Sequence, residues 1–123
     1  MAHNQELLLS IQNLSTVFPI KQTLFEKIQR KPEKLIKAVS NVSLDIAKGE
    51  TVGLVGESGC GKSTLAKTII RLNDPRHGII DFADIGNLAN AKKKDLKKMH
   101  RKIQMIFQDP YSSLNPRMTI RSM

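Results

Sequence analysis

Residues 56–64 of this 123-residue chain read Gly56-Glu57-Ser58-Gly59-Cys60-Gly61-Lys62-Ser63-Thr64. They fit the pattern G-x-x-x-x-G-K-[ST], in which a glycine-rich loop wraps the phosphates of a nucleotide. A short apolar, β-rich run at 51–55 precedes the loop, and residues 63–72 have the pattern of a helix. Strand, glycine loop and helix in this order confirm such a motif, so the sequence predicts a phosphate-binding loop rather than a chance glycine turn.

Each residue type in this loop has a chemical reason. Glycines let the backbone adopt conformations closed to other residues and approach a ligand closely. Successive N–H groups can then converge on phosphate oxygens, and the following helix adds its unpaired N-terminal donors. We expect Lys62 to bring its ammonium group to the β- and γ-phosphates and the Ser63 hydroxyl to ligate Mg²⁺.

Composition narrows the class of protein. The length is that of one small domain, and 40% hydrophobic residues are compatible with a globular core. No apolar run approaches the roughly 18 residues of a membrane span, and the N-terminus lacks the basic and apolar segments of a signal peptide. The single cysteine, Cys60, suits a reducing compartment. We therefore expect a cytoplasmic protein.

The net charge of +9 raises nucleic acid or an anionic membrane surface as a partner. Residues 92–102 hold seven of the twenty basic residues, but no aromatic residues interleave with them as on a stacking platform for single strands. We interpret this run as the solvated face of a helix, with nucleic-acid binding as the alternative.

Apolar patterning predicts the other elements. Strands are expected at 6–14, 39–46, 51–55, 79–82 and 103–107, with 16–20 extended. The strands at 39–46 and 51–55 are expected to form an antiparallel hairpin across the turn at 48–50. A basic amphipathic helix is predicted over 88–101, with Leu88, Leu96 and Met99 on its buried side.

Two segments are predicted to lack regular secondary structure. Residues 21–36 are interpreted as a surface excursion because Pro32 interrupts a polar, basic stretch, and a membrane-surface helix is the alternative. Residues 111–119, which follow Gln108-Asp109-Pro110, are rich in turn formers and predict a loop.

Three segments together resemble the nucleotide-binding subunit of an ABC transporter. They are 42–46 with Gly49-Glu50 leading into 55–65, the turn and strand that include Gly78, and Ile106-Phe107-Gln108-Asp109-Pro110, which looks like the family's Q-loop. The run 107–119 is similar to the ATPases of oligopeptide and dipeptide importers, whose close relatives serve nickel and glutathione uptake. The resemblance implies an α/β P-loop NTPase of the ABC nucleotide-binding-domain type. It implies the N-terminal part only, an antiparallel β subdomain plus the start of the parallel core.

The resemblance also implies segments that have no match here. The family continues with a helical subdomain carrying an LSGGQ-type signature, a Walker B aspartate, a catalytic glutamate and a switch histidine. We therefore expect residues 1–123 to be the N-terminal half of the domain, either a fragment or a truncated gene product.

The family's mechanism sandwiches two ATP molecules between two such domains, and it assigns roles to residues of this chain. Lys62 would hold the β/γ-phosphates, and Thr64 with the loop amides would bind the α/β oxygens. Gln108 would reach the Mg²⁺ and the attacking water, and would link the site to the membrane subunits. Phe18 is a candidate for stacking on adenine, with core packing as the alternative. The cofactor-binding set is thus Gly56, Glu57, Ser58, Gly59, Cys60, Gly61, Lys62, Ser63, Thr64 and Phe18, with Ser63 and Gln108 as Mg²⁺ ligands.

The function implied is that of an ATP-binding subunit energising import of peptides or related small solutes. Its partners would be a second ATP-binding subunit, transmembrane permease subunits and, indirectly, a solute-binding protein, on the cytoplasmic face of the membrane. We expect this chain alone to bind ATP weakly and not to hydrolyse it. The alternatives are a soluble P-loop or ABC-type protein acting on nucleic acid, although no nucleic-acid partner is expected, and an inactive remnant.

Overall fold

A four-stranded antiparallel sheet organises the part of the chain that the computed structural model describes, residues 6–20, 32 and 34–108. The strands are β1 (Leu7–Pro19), β2 (Leu35–Ala47), β3 (His77–Phe82) and β4 (Gly86–Asn87), in the spatial order β2-β1-β3-β4. Helix α1 (Lys62–Ile69), a 3₁₀ turn η1 (Leu88–Asn90) and helix α2 (Lys93–Lys102) complete the described elements. None of these helices has the length and apolar character needed to cross a membrane.

The core lies on one face of the sheet, under α1, η1 and α2. Burying one large apolar side chain in this core contributes on the order of 1.5–3 kcal/mol to the free energy of unfolding, before the loss of conformational entropy is counted. The buried apolar cluster consists of Leu9, Ile11, Leu14, Val39, Leu65, Ile80, Phe82, Leu88 and Met99.

Strand β1 contains a bulge that β3 approaches closely. The pairing of β1 with β2 shifts register between Ile11 and Leu14, and Asn13 has a φ of 50°. Gly78 in β3 has a φ of 108°, and a Cβ there would lie 2.6 Å from the Cα of Leu14. Glycine therefore holds this position because no side chain fits between the two backbones.

Helix α1 ends earlier than the predicted 63–72 because a Schellman motif closes it. The N–H of Leu72 donates to the Lys67 carbonyl at 2.9 Å, and the N–H of Arg71 donates to the Thr68 carbonyl at 3.0 Å. Arg71 takes the left-handed conformation, with φ 59°, that this motif requires and that glycine more often supplies.

Helix α2 begins at Lys93, so the predicted start at 88 is wrong. Asn87 accepts a hydrogen bond from the Ala89 N–H and caps the separate turn η1, and Ala91 and Lys92 are then extended. The predicted burial of Leu88 and Met99 is confirmed, and Leu96 is partly buried. The basic residues of the helix lie mainly on its exposed side.

The predicted strands at 51–55 and 103–107 are not formed, and the predicted hairpin between 39–46 and 51–55 is wrong. Strand β2 pairs with β1 instead. A central strand needs a neighbour for its backbone groups, and no described strand pairs with either segment. Val55 and Ile106 remain 94% and 96% exposed.

The predicted excursion at 21–36 is too long at its end, since Leu35 and Ile36 already belong to β2. The N–H of Ile20 donates to the Lys34 carbonyl at 2.8 Å, so the pairing of β1 with β2 continues one residue beyond Pro19 and Leu35. Residues 21–31 and 33 lie outside the described residues, as do Asp109, Pro110 and the predicted loop at 111–119.

Candidate functional site: the phosphate loop and its groove

The glycine-rich loop leads directly into α1 and packs against β2. Gly59 and Gly61 have φ values of 81° and 100°, and Gly61 occupies the N-cap position of α1 without a side-chain cap. A Cβ on Gly61 would collide with the backbone carbonyl oxygen of Ala38 in β2. The close approach of loop and strand therefore depends on glycine at this position.

Lys62 folds back across the loop that precedes it. Its ammonium group donates to the Gly56 carbonyl at 2.6 Å and to the Glu57 carbonyl at 2.5 Å. The sulfur of Cys60 lies 3.4 Å from the same nitrogen and is a weak acceptor. A positive charge is thus fixed in the mouth of the loop with one of its three N–H donors only weakly engaged.

The first turn of α1 presents its backbone donors beside this charge. The Leu65 N–H donates to the Gly61 carbonyl at 2.8 Å, but within the described residues no acceptor takes the N–H groups of Lys62, Ser63 or Thr64. These donors, the positive end of the helix dipole and the Lys62 ammonium group all favour an anion at one place. The residues present therefore fit a phosphate group.

A groove with a cavity volume of about 400 Å³ is lined by residues of both the loop and β2. Its strand side is formed by Ile36, Lys37 and Ala38, and its loop side by residues 59–64. Sequence reasoning missed the strand side because it assigned Ile36 to the surface excursion. The available signal was the apolar residues at 35, 36, 38 and 39, which extend the predicted strand backwards.

Phe18 is placed beside this groove by the pairing of β1 with β2. It lies opposite Ile36 in the register, and side chains directly opposite in an antiparallel pair share a face of the sheet. Phe18 is 38% exposed and is not a member of the buried core cluster. Phe18 is thus paired with one residue of the groove, Ile36, but neither cavity beside the loop includes Phe18 in its lining, and adenine stacking stays a prediction.

The two predicted Mg²⁺ ligands differ in how the structure places them. Ser63 is exposed on the first turn of α1, at the loop. Gln108 is exposed in a bend at the end of the described residues, and none of the cavities beside the loop includes it in its lining. No group of three His, Cys, Asp or Glu side chains suited to a metal occurs in the described residues. The donor set at Ser63 therefore fits Mg²⁺ only if phosphate oxygens and water supply most of its ligands.

A second cavity, of about 650 Å³, has no residue of the loop in its lining. Leu8 and Phe82 contribute to its lining, and two ion pairs at its edge join Lys48 to Glu6 and Lys102 to Asp84 at 2.5 and 2.7 Å. The hydrogen bond from Lys102 holds the pKa of the exposed Asp84 carboxyl below its ordinary value. The four charged side chains that line this cavity are thus paired with one another.

Comparison with known proteins gives a consistent picture. The family model described as ABC transporter matches residues 39–123. The oligopeptide transport ATP-binding protein AppF of Bacillus subtilis (strain 168) is 50% identical over 123 residues, which covers 98% of this chain and 36% of that protein. The chain thus spans about a third of the length of this relative.

Solved structures agree on the architecture. A dimeric structure of MJ0796, a bacterial ABC transporter cassette, superposes with a TM-score of 0.65 at 26% identity, over 93% of this chain and 44% of that one. A post-hydrolysis dimer of the same cassette, bound to ADP and Pi, gives a TM-score of 0.57 at 28% identity, over 76% and 35% of the two chains. The expected fold class, the N-terminal part of a P-loop NTPase of this type, is confirmed.

Proposed function

This chain belongs to the ABC transporter family, and we propose that it is the N-terminal half of an ATP-binding subunit that energises import of oligopeptides, dipeptides or a related small solute. The observation that carries the proposal is the Lys62 ammonium group, which the Gly56 and Glu57 carbonyls hold at the N-terminal end of α1. The name of the relative AppF supports the class of solute.

At the phosphate end, Lys62 binds the β/γ-phosphates of ATP. Its weak contact with Cys60 is the one that a phosphate oxygen replaces, because the two carbonyl contacts hold the side chain in place. The amides of 56–64 and the Thr64 hydroxyl bind the α/β oxygens. In phosphoryl transfer the protein forms few covalent bonds itself. These contacts therefore act by positioning the phosphates and by stabilising their negative charge.

The Ser63 hydroxyl and the Gln108 side chain are the proposed Mg²⁺ ligands. Mg²⁺, when bound, neutralises charge on the β- and γ-phosphate oxygens. Ser63 is exposed at the start of α1, where its hydroxyl faces no described partner. Gln108 would join it as the Q-loop residue that also orients water.

At the base end, Phe18 stacks on adenine. Its place opposite Ile36, one wall of the groove, supports this role, since a ligand that lies in the groove from 59–64 reaches that wall. Stacking on an aromatic ring contributes about 1–3 kcal/mol per base.

On its own, the chain binds ATP weakly and does not turn it over. No carboxylate lines the groove formed by 36–38 and 59–64, so no side chain there positions an attacking water as a base. The apolar segments 51–55 and 103–107 flank the site without strand partners in the described residues. They would be stabilised by further polypeptide of the kind that the longer relative has.

The proposed partners are a second ATP-binding subunit, identical or different, and transmembrane permease subunits, with a solute-binding protein acting through them. The proposed location is the cytoplasmic face of the membrane, as a peripheral subunit. The dimeric structures of the MJ0796 cassette support the second ATP-binding subunit. The other partners and the location are proposed from membership of the family.

The proposal is tested with the purified chain and a fluorescent ATP analogue. Replacing Lys62 with Ala should weaken binding at least about tenfold, because charge-assisted hydrogen bonds contribute roughly 1.5–3 kcal/mol. Lys94→Ala is the matched control, since Lys94 is an exposed lysine on α2 away from the groove.

Equal affinities of the K62A and K94A variants would contradict nucleotide binding by the loop. Steady-state phosphate release is measured in the same samples. Turnover by the unmodified chain above the K62A level would contradict the proposed lack of hydrolysis.

A further inference from the structure

We infer that the hydroxyl groups of Thr16 and Thr68 form a buried link that positions Thr64, at the phosphate end of the site, relative to the strand that carries Phe18. Their Oγ1 atoms lie 3.0 Å apart. The Thr68 hydroxyl also donates to the Thr64 carbonyl at 2.8 Å. This inference rests on the proposed nucleotide site and adds positioning residues to it.

The direction of the hydrogen bonds follows from counting protons. A hydroxyl group has one hydrogen to donate. Since Thr68 donates its hydrogen to the Thr64 carbonyl, Thr16 must be the donor to Thr68. The link therefore runs in one direction, from β1 through α1 to the first turn after the phosphate loop.

The link is sealed from water. Thr16 and Thr68 are both 0% exposed and are the only polar residues in the buried class among the described residues. Replacing both partners of a buried hydrogen bond with apolar groups of the same shape is often neutral or stabilising. A threonine hydroxyl bonded to the carbonyl four residues back is common in helices, so the tie between the helix and β1 comes from Thr16.

One end of the link, Thr64, lines the groove, and the other end, Thr16, lies on the strand that carries Phe18. On β1, Thr16 is two residues from Phe18, with a shift in the register against β2 between Thr16 and Val17. Thr16 is also opposite Val39, the residue after Ala38, on which Gly61 packs. The link thus ties β1 to the first turn of α1, with the hydrogen bond between Thr16 and Thr68 spanning 52 residues of sequence.

The test compares Thr68→Val with Thr68→Ser. Valine keeps the shape but removes the hydrogen bond to Thr64, whereas serine keeps the hydroxyl. Affinities are measured for ATP, tripolyphosphate and adenosine, each by competition with a fluorescent ATP analogue, and urea unfolding gives the folded fraction of each variant. Thr51→Val is the matched control, because Thr51 is exposed.

We expect T68V to bind ATP and tripolyphosphate about fivefold more weakly, the equivalent of one net hydrogen bond, with adenosine affinity unchanged. T68S should stay within about twofold of the unmodified chain by the same reasoning. T16V should weaken ATP and tripolyphosphate binding by a similar factor, because it removes the hydrogen bond that ties Thr68 to β1. If T68V unfolds, the double variant T16V/T68V replaces it, since it leaves no buried hydroxyl without an acceptor.

Equal losses for tripolyphosphate and adenosine, in proportion to the unfolded fraction, would show a purely structural role and overturn the inference. Unchanged tripolyphosphate affinity in T68V would overturn it as well. If the unmodified chain binds no ATP, the proposed function fails, and the link is then judged from ¹⁵N–¹H spectra. Shifts of the 61–64 amides in T68V but not in T68S or T51V support the link, and their absence overturns it.

Discussion

Replacing Gly61 with Ala should destabilise the protein in two ways, by an unfavourable φ and by a steric collision. Alanine substitutions at two other glycines of the chain separate these two effects. Gly61 has a φ of 100°, and a Cβ there meets the Ala38 carbonyl oxygen. Gly49 has a φ of 75° with nothing within 4 Å of a Cβ, so it carries the conformational effect alone. Gly53 has neither a positive φ nor a neighbour within 4 Å.

The magnitudes follow from these environments. Gly53→Ala should change the free energy of unfolding by no more than about 0.5 kcal/mol, with a slight gain from the less flexible unfolded chain. Gly49→Ala should cost about 1–2 kcal/mol, the strain of a left-handed residue with a side chain. Gly61→Ala adds a backbone collision that no side-chain rotation relieves, so the total should be roughly 3 kcal/mol or more.

Urea unfolding of the three variants measures the series, and binding of a fluorescent ATP analogue measures its effect on the site. We expect G61A alone to lose binding under conditions in which it is still folded, because the loop must move away from β2 to admit the methyl group. If G61A and G49A are equally destabilised, the close packing of the loop on β2 is refuted.

Two further predictions concern charge and reactivity. Asp84 is held ionised by Lys102, so its folded pKa lies below its unfolded pKa of about 3.9 and its stabilising effect is present above that pH. The stability difference between the unmodified chain and Asp84→Asn, from urea unfolding at several pH values, should be constant from pH 8 to about 5 and shrink as the pH falls through the folded pKa; a constant difference down to pH 2 would contradict this. ATP should slow alkylation of Cys60, whose sulfur lies 3.4 Å from the Lys62 nitrogen, and equal labelling rates with and without ATP would count against the assigned phosphate position.

The turn geometry of the glycine loop could be predicted from the sequence because its residues are contiguous, whereas the strand expected before it, at 51–55, is not formed. A glycine at 61 and a lysine at 62 define their own local geometry, and only the contact with Ala38 depends on the rest of the fold. The strands β1 and β3 were predictable for a similar reason, since their apolar residues face one core.

What could not be predicted depends on partners far away in sequence. Residues 51–55 and 103–107 have the composition of strands, but composition does not supply the neighbour that a strand needs. The wall at Ile36 depends on the register of β2 against a bulged β1, and no local pattern reveals that bulge at Asn13. The hydrogen bond between Thr16 and Thr68 joins two residues 52 positions apart, and the sequence around neither residue indicates a partner for its hydroxyl group.

The two apolar segments without strand partners in the described residues, 51–55 and 103–107, should also promote self-association of the protein. They carry no charge and no proline, and Val55 and Ile106 are almost fully exposed. Uncharged apolar segments of this kind pair readily with the same segment of another molecule. Self-association should therefore rise steeply with protein concentration, and a lysine introduced at Val55 or Ile106 should restore a monodisperse solution.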